Sequence, residues 1–156
     1  MKPRLTNKYL DLVSEVEREL MKPFSIDSEV IFLVFPSLGY GHFSIQLVET
    51  QSPFLITRRW NQDLGESHQL GIYNLDNVRV DEDRVEISGG DLLTLGNIKT
   101  VDKGVKELNG IVLDGVDFKL IVRGQEIHWR TSEQISIELT GLLNKMVSMA
   151  GLQQQL

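Results

Sequence analysis

Val30 to Phe35 is an unbroken apolar run. It is far short of the roughly 20 residues a membrane span requires, and it suits a central β-strand covered on both faces. Everything around it must therefore supply two covering surfaces. Upstream, Leu5, Tyr9, Leu12, Val13, Val16 and Leu20 fall on one stripe of an α-helix, with Asp11, Glu15, Arg18 and Glu19 mostly outside it. Thr6 or Asn7 is placed to cap its start, and Pro23 ends it soon after Met21. A matching stripe, Ile135, Leu139, Leu142, Leu143, Met146 and Ala150, lies near the other end. Thr131 or Ser132 is its expected N-cap, Gly151 its closing residue, and Gly141 a point of close approach to the sheet.

Between the two helices the period drops to two. Phe43, Ile45 and Leu47 alternate with His42, Ser44 and Gln46, and Phe54, Ile56 and Arg58 alternate with Leu55, Thr57 and Arg59. Short turns at 36–41 and 50–53 join these strands to the apolar run as a meander. Further on, Val78 and Val80, then Val85 and Ile87, flank an expected Asp81-Glu82-Asp83 turn. Leu92–Leu95, Ile98–Val101 and Ile111–Leu113 read as shorter strands. The clearest hairpin joins Val116–Arg123 to Glu126–Arg130. A Gly124-Gln125 type II′ turn opposes Leu120 to Trp129, and a turn at Arg123-Gly124 keeps the same apolar parity. Turns this short leave no room for helical crossovers, so the sheet is expected to be mostly antiparallel. The fold class is α+β: about six to eight short strands flanked by an N-terminal and a C-terminal amphipathic helix, both on one face, in one domain over 1–156.

Composition narrows the chemistry. The chain of 156 residues has no cysteine and three histidines. Thiolate catalysis, cysteine-ligated zinc and disulfides are excluded together. No Walker loop, HxH, HExxH or GxSxG pattern occurs, and Asp81-Glu82-Asp83 lacks the ligand order of a calcium loop. No cofactor or metal is expected. A net charge of −6 disfavours nucleic acid and leaves a basic protein as an electrostatically suitable partner. No apolar stretch follows Met1-Lys2-Pro3-Arg4 as a signal peptide would require, so a cytoplasmic location without membrane attachment is expected.

The candidate binding residues lie in two places. The stretch 61–77 lacks periodicity and is long for a structureless loop. Arg58, Arg59 and Trp60 stand at its entrance, and Asp63, Glu66 and His68 within it. Trp and Arg are favoured interface anchors because each joins a large contact area to directed polar groups. The Gly39-Tyr40-Gly41-His42 turn adds an aromatic between glycines, although a hairpin needing positive φ looks the same. The leading expectation is a non-catalytic protein-binding module. It acts through loops at one end of the sheet, with Trp60 and Tyr40 as anchors and Arg58, Arg59 and Asp63 as polar contacts. In size and composition it is similar to small bacterial immunity or adaptor proteins that sequester a partner. Two alternatives stand beside it. One is a small-molecule binder or enzyme using His42, His68, Arg58, Asp63 and Glu66 in a pocket between sheet and helices. The other is a structural homodimer subunit with Ile121, Ile137 and Met149 on one apolar patch.

Overall fold

The computed structural model describes residues 2–36, 41–63, 70–71, 78–104, 115–130 and 135–152, with side chains from residue 8 onward. Helix α1 spans Lys2–Met21, and strands β1 (Ser28–Pro36), β2 (His42–Val48) and β3 (Phe54–Trp60) follow it as the expected meander. Then come β4 (Asp81–Glu86), helix α2 (Gly89–Gly96) with a 3₁₀ turn at Asn97–Lys99, the hairpin β5 (Val116–Val122) and β6 (Gln125–Arg130), and helix α3 (Ile137–Met149). The six strands form one sheet in the order β4-β3-β2-β1-β5-β6, antiparallel throughout. The fold is α+β. Among the described residues, no helix is long and apolar enough to cross a membrane.

β1 is buried on both faces, as its composition requires. Val30, Phe32 and Val34 join one core with Phe43, Ile45, Leu47, Leu120 and Trp129, closed over by Leu95, Ile98, Leu139, Leu143 and Met146. Leu33 and Phe35, one step out of phase, join a second core with Leu12, Val16, Leu20 and Trp60. Alternation along a strand sends these two sets to opposite faces. Helix α1 therefore covers one face while α2, the 3₁₀ turn and α3 cover the other, which corrects the expectation that both terminal helices share a face. A strand apolar at every position cannot be satisfied by one layer.

Several local expectations are revised for identifiable reasons. Asp81-Glu82-Asp83 is no turn but the start of β4, where β3 supplies matching charge: Arg58 Nε lies 2.8 Å from Glu82, and Arg59 Nη2 3.3 Å from Asp83. Leu92–Leu95 and Ile98–Val101 are not strands. Ser88 accepts from Asp91 N at 3.0 Å and starts α2, which puts Leu95 and Ile98 three apart on one buried side. Helix α1 begins at Lys2, ahead of Thr6 and Asn7, with Pro3 in the first turn where a missing N–H is harmless. For α3 the cap is Ser136, accepting from Leu139 N at 3.1 Å, and Gly151 closes it at φ 73°. Thr131, Ser132 and Ile111–Leu113 lie outside the described residues.

The hairpin turn is Arg123-Gly124, both at positive φ (51° and 81°), a type I′ geometry. This moves β6 by two residues relative to the Gly124-Gln125 turn and keeps the apolar parity: Leu120 faces Ile127 and Phe118 faces Trp129. It also removes a charge clash between Lys119 and Arg130. Arg130 now opposes Asp117, with its Nε 2.7 Å from Oδ1, and Trp129 stacks on Phe118 at 5.5 Å and lies near Phe32 at 6.1 Å.

Gly141 is exposed, and a Cβ there would meet nothing within 4 Å, so it makes no close approach to the sheet. Gly141→Ala is accordingly expected to stabilise the protein by about 0.5–1 kcal/mol, from the backbone entropy a mid-helix glycine costs. Urea unfolding checks this; an unchanged or lower midpoint would mean the position is constrained in some other way.

Candidate functional site

The face under α1 carries an unusual column of polar residues. Ser44 and Gln46 on β2 and Arg58 on β3 are all buried, Arg58 to 7% exposure. Their partners explain them. Ser44 Oγ donates to the Leu20 carbonyl, Gln46 Nε2 donates to the Lys22 carbonyl at 2.6 Å, and Gln46 Oε1 accepts from Phe24 N at 2.8 Å. Arg58 Nη1 donates to the carbonyls of Glu19 and Lys22. A helix ends with carbonyls lacking intrahelical partners and with partial negative charge, so a buried guanidinium and two neutral donors satisfy both demands at the end of α1. Arg58 thus fastens a helix to the sheet and is not presented to a partner.

Trp60 is 1% exposed and belongs to the α1 core, so it is no surface anchor. Against it lies His42, also 1% exposed, its ring 5.2 Å from Trp60 and 4.4 Å from Phe35. His42 Nε2 donates to the Pro36 carbonyl at 2.8 Å, which leaves Nδ1 as the unprotonated nitrogen of a neutral ring. Among the described residues, neither Nδ1 nor Trp60 Nε1 has a hydrogen-bond partner. Burial pushes the His42 pKa below its ordinary value, opposed by the Pro36 carbonyl and by the charge of Asp63. At position 41 the chain adopts φ 101°, which accounts for Gly41 by backbone geometry.

These residues border an open cleft of about 410 Å³ at the β3 C-terminal end of the sheet. Phe43, Arg59 and Asn61 line it from the sheet, with His42 and Trp60 beside them, and Gly151 and Leu152 line it from beyond α3. Arg59 is exposed and paired with Asp83, while Asn61 Nδ2 donates to Asp81. Among the described residues the cleft thus has both apolar and polar lining, and Arg59 and Asn61 link it to the acidic strand β4. Of the candidate residues, the fold brings His42, Arg59 and Trp60 to the cleft and the charge of Asp63 to His42; Arg58 points to α1. Tyr40, Glu66 and His68 lie outside the described residues. His128 stands apart on β6, 3.4 Å from Asp117. Among the described residues, no three His, Asp or Glu side chains cluster as a metal site would need.

Leu152 and the β4 carboxylates were not anticipated as site residues. Their place depends on long-range pairing, and no local signal marks it. Comparison with protein-family models, with curated proteins and with solved structures finds no match to this chain.

Two outcomes test this arrangement. Trp60→Ala should lower stability by about 3–5 kcal/mol in chemical unfolding, as for a buried aromatic; near-native stability would put the side chain at the surface. His42 contributes a defined pH dependence. Its folded pKa is below the unfolded value of about 6.5, so the unfolded chain takes up the proton first. The stability held above about pH 6.5 is lost as pH falls through the folded pKa. Between about pH 7.5 and pH 5 the wild-type Tm should fall more steeply than that of His42→Phe. Equal slopes would show that the ring titrates normally.

Proposed function

We propose that the chain is a non-catalytic protein-binding module whose partner docks at the cleft end of the sheet. The observation that carries this reading is the cleft itself: an open depression of mixed polarity lined by His42, Phe43, Arg59, Trp60, Asn61 and Leu152, with the carboxylates of Asp81 and Asp83 paired to its Asn61 and Arg59. Such a surface suits an apolar side chain of the partner in the depression and basic groups along β4, in keeping with a net charge of −6. Trp60 supports the floor from within, and Arg59 takes the role of directed polar contact.

The small-molecule alternative has less support. A volume of about 410 Å³ would admit a small ligand, but the ring nitrogens of His42 and Trp60 that find no partner among the described residues have almost no accessible surface. The homodimer patch is also weakened. Met149 packs on the core under α3, Ile137 is 88% exposed at the start of that helix, and Ile121 lies on the opposite face of the sheet.

The test is recovery of partners from the native host with the protein at its natural level. A stoichiometric basic partner should be retained by wild type and lost, with binding weakened at least about tenfold, in Asp81→Lys/Asp83→Lys and in Leu152→Asp. Circular dichroism and Tm must show both variants folded. A partner held equally by wild type and variants would place the interface elsewhere, and recovery of the chain alone would count against the reading.

A further inference from the structure

Helix α2 is built of weaker material than its place over the core requires. It has eight residues, and isolated helices shorter than about 12–15 are marginal in water. Gly89, Gly90 and Gly96 belong to it, and each lowers its helix propensity. Packing does not call for them: a Cβ at Gly89 or Gly96 would meet no neighbouring group within 4 Å, and at Gly90 only Ser88 Oγ at 3.8 Å. Backbone geometry does not either, since none of them has positive φ. The segment is held down by the burial of Leu95 and Ile98, with Leu92 and Val101 partly buried against the same core, while Leu93 is 77% exposed.

Its two ends are tied to the rest of the fold. Ile87 N donates to the Pro53 carbonyl at 3.2 Å, and the carbonyls of Asp102 and Lys103 accept from Ser136 Oγ at 2.6 Å and Ser136 N at 2.8 Å. Between these ties one charged group reaches back to the sheet. Lys99 Nζ lies 2.6 Å from Glu49 Oε1 and 3.6 Å from Glu29 Oε2, with its side chain only 17% exposed. Two backbone irregularities converge on this cluster. Glu29 is the extra residue of a β-bulge, because Ser28 pairs with Val48 and Val30 with Leu47, and a bulge re-aims a side chain. Arg123, at φ 51°, sets its Nε 3.4 Å from the same Glu29 oxygen. The sheet thus departs from regular geometry where it meets Lys99.

We propose that residues 88–101 form a strap that lifts from the core as a unit while the sheet and α1 stay folded, with Lys99 on Glu49 and Glu29 as its latch. Among the described residues that line the cleft, none belongs to the strap, so the inference holds or fails independently of the proposed partner binding.

Native-state hydrogen exchange on the full chain, read residue by residue and corrected for intrinsic rates, tests this. The amides of Leu92, Leu95 and Val101 should share one level of protection, at least about a hundredfold below that of Phe32 and Ile45 at the sheet centre. That protection should depend only weakly on urea below the unfolding transition, since little surface is exposed when the strap lifts. Lys99→Met keeps the aliphatic stem and removes the charge, and should lower strap protection about tenfold; Lys99→Arg should retain it. Gly89→Ala/Gly96→Ala adds helix propensity in open space and should raise strap protection about fivefold. Strap amides as protected as Phe32, with the same urea dependence, would mean that the segment opens only with the whole molecule and would overturn the proposal. So would strap protection that neither Lys99→Met nor the glycine pair moves.

Discussion

Burial of β1 on both faces is the constraint from which the architecture follows. A strand with no polar side chain from Val30 to Phe35 cannot lie at an edge or face water. It takes β2 on one side and β5 on the other, and requires a helical layer above and below. The two hydrophobic cores are consequences of this. Helix α1 serves one face, with Val78 and Val80 packed against the same core, whereas the other is closed by α2, the 3₁₀ turn and α3 together.

Covering a sheet with a helix creates a second problem, the unsatisfied carbonyls at the helix end. The α1 side of the sheet answers it with Ser44, Gln46 and Arg58, which reach the carbonyls of Glu19, Leu20 and Lys22. This ties Arg58 to architecture and leaves Arg59, one residue on and facing the other way, available at the cleft. Adjacent arginines with the same local sequence context thus have different duties because a strand alternates its sides. Trp60 then falls on the α1 side, with His42 against it.

The legible parts of the fold were those set by short-range pattern. The β1–β3 meander, the inward placement of Trp129 and the apolar stripe of α3 follow from periodicity and turn chemistry. The strand character of Asp81–Glu86 was not legible, since three consecutive acids look like a solvated turn until Arg58 and Arg59 are set opposite them. Leu92–Leu95 misled in the reverse direction: a short apolar run is compatible with strand or helix, and the Ser88 cap together with burial of Leu95 and Ile98 decided for helix. Of the candidate site, His42, Arg59 and Trp60 were identified from residue type and their place near turns. Whether each was exposed was not legible, because burial depends on which helix settles over which face.

The sequence by itself determined that this chain forms an antiparallel α+β sheet with an inner apolar strand and amphipathic helices, and that it carries no cysteine chemistry. Those properties rest on composition and on periods of 2 and 3.6 residues, which local sterics impose. Tertiary structure alone decided that the helices take opposite faces, that Arg58 caps a helix while Arg59 borders a cleft, and that β4 and β6 form the sheet's outer edges. Each of these is a relation between residues far apart in the chain, fixed by the competition of several surfaces for burial and of several charges for partners.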